Sequence, residues 1–88
     1  MGFRFEIISV SKLPRACIGV LDGKLVDGSV VAGMTAELIH DGERLPIYIK
    51  GVVLGSVRPE ADVLSLSVDL RQEAMRLASI GDLILSTS

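Results

Sequence analysis

Phe3, Phe5 and Ile7 alternate with Arg4, Glu6 and Ile8, which predicts a half-buried strand over residues 3–10. The run 11–15 contains Pro14 and reads as a loop; a second strand follows over 16–25, with Gly19 and Gly23 letting it bend or bulge. Asp27-Gly28 signals a turn, 29–31 a very short strand, and Ala32-Gly33 another turn. Residues 35–40 form the next strand, with Ala36 and Leu38 on one face, and Asp41-Gly42 starts a hairpin. The strand predicted over 45–54 turns Ile47 and Ile49 inward and Tyr48 and Lys50 outward, with Pro46 near its start, where a missing donor is tolerated. The run 55–62 reads as an exposed loop. Leu64, Leu66, Val68 and Leu70 then alternate with Ser65, Ser67 and Asp69, the clearest period-two stretch in the chain. Residues 71–78 switch to helix formers and predict a turn or two of helix, Gly81-Asp82 ends it, and 83–87 is the last strand.

Gly23, Gly28 and Gly33 recur at five-residue spacing. Glycine reaches positive φ and lets two backbones approach, so in a strand-rich chain this ladder marks bulges and tight turns. Gly51 and Gly81 are assigned the same structural role. Seven short strands joined by Gly-rich turns predict an all-β fold: a small closed antiparallel barrel of six or seven strands with one short helical turn near the C-terminus. The 88 residues suit one domain, 1–88.

Composition adds one positive signal. At 49 % hydrophobic residues, the chain has either a dense core or apolar surface meant for a partner. No apolar run approaches the roughly 20 residues that cross a bilayer, so no membrane partner is expected. The first residues lack the layout of a signal peptide. One cysteine, Cys17, cannot form an internal disulfide, and together these features predict a cytoplasmic protein. A net charge of −2, two Phe, one Tyr and no Trp argue against a domain that grips nucleic acid alone.

No catalytic, cofactor or metal site is expected. His40 is the sole histidine and, beside Asp41 at a hairpin start, reads as a solvated turn residue. Cys17 reads as a buried apolar side chain. Asp22, Asp27, Asp41 and Glu43 are explained by turn chemistry. The glycine ladder joins strand to strand, without the following helix N-terminus that a phosphate loop needs. Arg4, Lys12, Arg15 and Lys24 either converge on one rim of the barrel as a phosphate-seeking patch or are scattered solvated charges. The segment 71–76 plugs one barrel end, or Met75 or Leu77 docks a partner.

The pattern carried by Gly23, Lys24, Leu25, Gly28, Val30 and Gly33 resembles the second domain of elongation factor Tu, a barrel found in many translational GTPases. The opening strand, Ile47 to Val52 and Gly81-Asp82-Leu83-Ile84 resemble further segments of that family. The resemblance implies a closed antiparallel barrel that, in the family, packs against a GTPase domain and contacts the ribosome or an RNA end. Two departures limit it. The chain lacks a Gly-x4-Gly-Lys-Ser/Thr loop. After the Gly-Val pair, Val53-Leu54-Gly55-Ser56-Val57 carries none of the polar and aromatic groups that hold the terminal adenosine of tRNA, and Ile80 replaces the family's basic residue. Direct tRNA binding is therefore not carried over. The expected function is a non-catalytic, translation-related binding module that offers a surface to a protein or ribonucleoprotein partner. The alternatives are a barrel subunit that self-associates into an oligomer and, behind it, a small ligand-binding barrel.

Overall fold

The computed structural model describes residues 2–54 and 63–86. Seven strands make one antiparallel sheet: β1 (Phe3–Leu13), β2 (Ile18–Gly28), β3 (Thr35–His40), β4 (Glu43–Tyr48), β5 (Gly51–Leu54), β6 (Val63–Asp69) and β7 (Leu83–Ser86). A short helix, α1 (Glu73–Leu77), lies between β6 and β7. The order across the sheet is β4-β3-β7-β1-β2-β6-β5. The all-β expectation is met. The expected loop at 55–62 and Thr87, the final residue of the last predicted strand, lie outside the described residues.

The alternation at the start of the chain does what its period requires. Phe3, Phe5 and Ile7 are buried while Arg4, Glu6 and Ile8 are exposed. Leu21, Ala36, Leu38, Ile47, Ile49, Leu66, Val68 and Ile84 join them on the concave face, and no polar side chain is buried among the described residues. The sheet's two end strands, β4 and β5, are separated in sequence by Ile49 and Lys50 alone. Ile49 still pairs with the run into β3: its N–H donates to the Met34 carbonyl (2.8 Å) and its carbonyl accepts from Gly33 (2.8 Å). One residue later, Lys50 N–H donates to the carbonyl of Ser67 in β6 (2.8 Å). Residues 43–54 thus reach both ends of the sheet, which is curled into a half-barrel. Closure of the predicted barrel is not reached as a strand ladder: among the described residues β4 and β5 each pair on one side only.

Four boundaries differ from the sequence reading. The first two strands form a longer hairpin, in register to Leu13↔Ile18, because Pro14 starts a single 3-10 turn (Pro14–Ala16) rather than ending the pairing early. Residues 29–31 are not a strand. Val30 drops into the core, whereas Ser29 and Val31 are exposed. The segment predicted as one strand over 45–54 is divided where its pairing changes side. Asp27-Gly28, predicted as a turn, is the paired end of β2, opposite Arg4 and Phe3.

Two bulges bend the β1–β2 pair. The register passes from Ile7↔Gly23 to Ser9↔Asp22 and from Arg4↔Asp27 to Phe5↔Leu25, leaving Ile8 and Val26 as the extra residues. Both are about half exposed. An unpaired bulge residue has no cross-strand neighbour to direct it inward, which accounts for two apolar side chains on the surface.

Candidate binding surface

The most structured surface feature is the free edge of β4. Tyr48 donates its N–H to Gln72 Oε1 (2.7 Å), and its carbonyl accepts from Gln72 Nε2 (3.1 Å). Gln72 immediately precedes α1, in extended backbone (φ −64°, ψ 141°), and its side chain makes no cap bond to the helix. The amide instead does for Tyr48 what a residue of a neighbouring strand would do. Antiparallel alternation turns Arg44 and Pro46 to the same side as Tyr48. Pro46 has no donor, so it sits where none is needed.

Between this edge and the start of α1 lies an open, mainly apolar groove of about 240 Å³, lined by Leu45, Pro46, Ile47, Tyr48, Gln72 and Glu73. An apolar cavity of roughly 150 Å³ already holds benzene, so the groove has room for one apolar side chain. Below it, α1 fills the barrel end. Ala74 and Met75 are buried, whereas Leu77 is exposed. Of the two roles open to this segment, Met75 takes the plug.

A second feature is the tip of the β1–β2 hairpin. Leu13, Pro14, Arg15 and Ala16 surround a shallow concavity, and Leu13 is half exposed. Cys17 also lies here, exposed rather than buried, in left-handed backbone (φ 54°). Its N–H donates to the Pro14 carbonyl (3.2 Å), and its carbonyl accepts from Leu70 (2.9 Å). The turn geometry therefore overrides its apolar preference. Nearby, Arg71 holds the Asp69 carboxyl with two guanidinium bonds (2.9 and 3.1 Å) and one backbone N–H (2.9 Å), which lowers its pKa to about 2.

The four basic residues fall into two pairs. Lys12 and Arg15 belong to the hairpin tip, and Arg4 and Lys24 lie toward its opposite end. Arg4 sits across from Asp27 and Lys24 across from Glu6, so the second pair is matched by acids on the same face. The glycines divide by task. Gly28, Gly33 and Gly81 hold positive φ (75°, 90° and 95°). Gly23 and Gly51 make room, Gly51 for the Ser67 hydroxyl, which would lie 2.6 Å from an added Cβ.

His40 is not a solvated turn residue. It is half-buried at the end of β3, and its Nδ1 lies 2.8 Å from Asp82 Oδ2, which also accepts from the Ser79 N–H (2.9 Å). The backbone reinforces this corner, with Ile7 N–H donating to the Asp82 carbonyl (2.9 Å) and Gly81 N–H to the Ile7 carbonyl (2.9 Å). The Asp82 hydrogen bond raises the His40 pKa above the ordinary 6.5, with smaller contributions from the charges of Asp82, Asp41 and Glu43 against some desolvation. A raised folded-state pKa stabilises the fold fully below the unfolded value, and that stabilisation is lost as pH rises through the folded value. Urea midpoints of the wild type, measured from pH 5.5 to 8.5, are therefore expected to fall relative to those of His40→Asn. Parallel curves would show that folding does not raise the His40 pKa.

Sequence spacing gave no sign of either the Gln72–Tyr48 clasp or the His40–Asp82 pair. Their partners are 24 and 42 residues apart. Among the described residues, no three His, Cys, Asp or Glu side chains gather as a metal site, and no helix is long and apolar enough to cross a membrane. In comparisons with known proteins, the chain matches no family model, no curated protein and no solved structure.

Proposed function

We propose that this chain is a non-catalytic binding module whose outer surface receives a protein or ribonucleoprotein partner. The observation that carries this reading is the apolar surface left over after the core is full. Ile8, Leu13, Val26, Val31, Tyr48, Val53, Val63, Leu77 and Ile80 are all exposed, while the concave face is already lined throughout with buried aliphatic and aromatic side chains. Exposed apolar groups that lie together mark an interaction site, and Pro46 and Tyr48, with the half-buried Leu45, do so along the β4 groove. The resemblance of the glycine ladder to the second domain of elongation factor Tu supports a translation-related, cytoplasmic partner. The missing adenosine-holding groups after Val52 leave direct tRNA binding outside the proposal.

Titration of the purified chain against ribosomes and tRNA, together with a pull-down, tests the reading. Saturable binding to ribosomes or to a captured protein is the expected result. Absence of saturable binding in every arm overturns it.

Self-association is the second reading. It is favoured by β5, which pairs with β6 alone among the described residues and exposes Val53. Sedimentation decides between the two, because a strict monomer at micromolar concentration removes the oligomer.

A further inference from the structure

An edge strand recruits an extended chain through its outward main-chain groups, and it selects that chain through pockets for the side chains. The β4 edge carries both elements. Its outward groups at Tyr48 are bonded to a side-chain amide that imitates a strand residue. Arg44 and Pro46 continue the edge, with no strand beyond them among the described residues. The apolar groove opens directly beside them.

We propose that this edge and groove are the docking site for an extended peptide segment of a partner protein, which pairs with β4 beside Gln72 and places one apolar side chain against Leu45, Pro46 and Ile47. This deepens the binding-module reading and rests on it. The peptide's main chain bonds the N–H and carbonyl of Arg44 and the carbonyl of Pro46, and the Gln72 amide closes the site at Tyr48.

Charge narrows the partner further. Glu73 lines the groove and is exposed, and Glu43 is exposed at the start of β4. The nearby cations, Arg44 on β4, which faces Glu37 at 3.5 Å, and Arg76 on α1, do not line the groove. The groove therefore favours an apolar residue flanked by Lys or Arg. Pro46 argues against a second copy as the occupant. Two β4 edges paired with each other would each lack the Pro46 donor, and two chains of net charge −2 repel.

The test pans the full chain against a displayed library of random dodecapeptides and maps the enriched peptides by amide NMR. The expected peptides carry an apolar residue beside a basic one and shift the amide signals of Arg44 and Tyr48. Pro46→Ala restores one edge donor, and one added hydrogen bond is expected to tighten these peptides about threefold to tenfold. Glu73→Lys, an exposed change that does not depend on the Pro46 variant folding, is expected to weaken them by a similar factor. The proposal is overturned if no peptide is enriched, if the shifts fall on the β1–β2 tip, or if affinity is unchanged in both variants. Peptides that bind the tip would leave the binding-module reading standing. No saturable binding to peptides, ribosomes, tRNA or captured proteins would remove both. A wild-type dimer that protects the Tyr48 amide would replace the peptide with a second copy.

Discussion

Gly23→Ala is expected to cost about 3 kcal/mol of folding stability, at the upper end of what overpacking a well-filled site does. A domain of this size has roughly 5–15 kcal/mol in total, so the change takes a large share. A Cβ at Gly23 would overlap the Glu6 carbonyl oxygen and lie 2.7 Å from two atoms of the Phe5 ring. The ring belongs to a side chain and can be shortened. The carbonyl belongs to the backbone of β1, beside the bulge at Ile8, and can move only if the β1–β2 register moves with it. Phe5→Leu is therefore not expected to rescue Gly23→Ala.

Gly33→Ala provides the contrast. Gly33 sits at φ 90°, but the nearest atom to an added Cβ is the Tyr48 hydroxyl at 3.9 Å, so strained backbone is its whole penalty, about 1–2 kcal/mol. Urea denaturation of both variants gives the comparison. If Gly23→Ala falls within about 1 kcal/mol of wild type, which is the cost of an ordinary substitution, the close approach of β1 and β2 at this point is wrong.

Strand positions were legible wherever one face is buried and the other wet, because a period of two then has one consistent solution. Phe3-Phe5-Ile7, Ala36-Leu38, Ile47-Ile49 and Leu64-Leu66-Val68 all obey it. It failed where local geometry outranks side-chain preference. At 29–31 a β-branched pair reads as a strand, but Val30 drops into the core beyond a left-handed Gly28. At 45–54 a continuous pattern hides a change of pairing partner, since Ile49 and Lys50 keep the alternation while their hydrogen bonds go to opposite ends of the sheet. The candidate surface was less legible still. Nothing in the residues around Gln72 announces a bond to Tyr48, because the contact exists only once the barrel has brought α1 against β4. The same holds for His40 and Asp82, which meet only because β3 and β7 pair.

Met75→Ala is the second large effect, about 3 kcal/mol, within the range measured for removing a buried methionine. Met75 is 1 % exposed, and its Sδ and Cγ would lie 2.9 and 3.3 Å from a Cβ added at Gly19. This close approach differs from the one at Gly23, since the atoms that a new Cβ would meet all belong to one flexible methionine side chain. Gly19→Ala alone should thus cost only about 1–2 kcal/mol by displacing the methionine. In the Met75→Ala background the same change fills part of the void, so the two costs should fall short of additive by about 1 kcal/mol or more. Additivity would mean that α1 does not pack on β2 at this point. The helix that carries Met75 also follows Gln72, so loosening the plug should loosen the clasp on β4. Hydrogen exchange at the Tyr48 amide is expected to speed up in Met75→Ala more than at Ile47, whose N–H faces β3. An equal change at both would mean global unfolding, whereas a selective one would tie access to the β4 edge to the packing of a side chain inside the barrel.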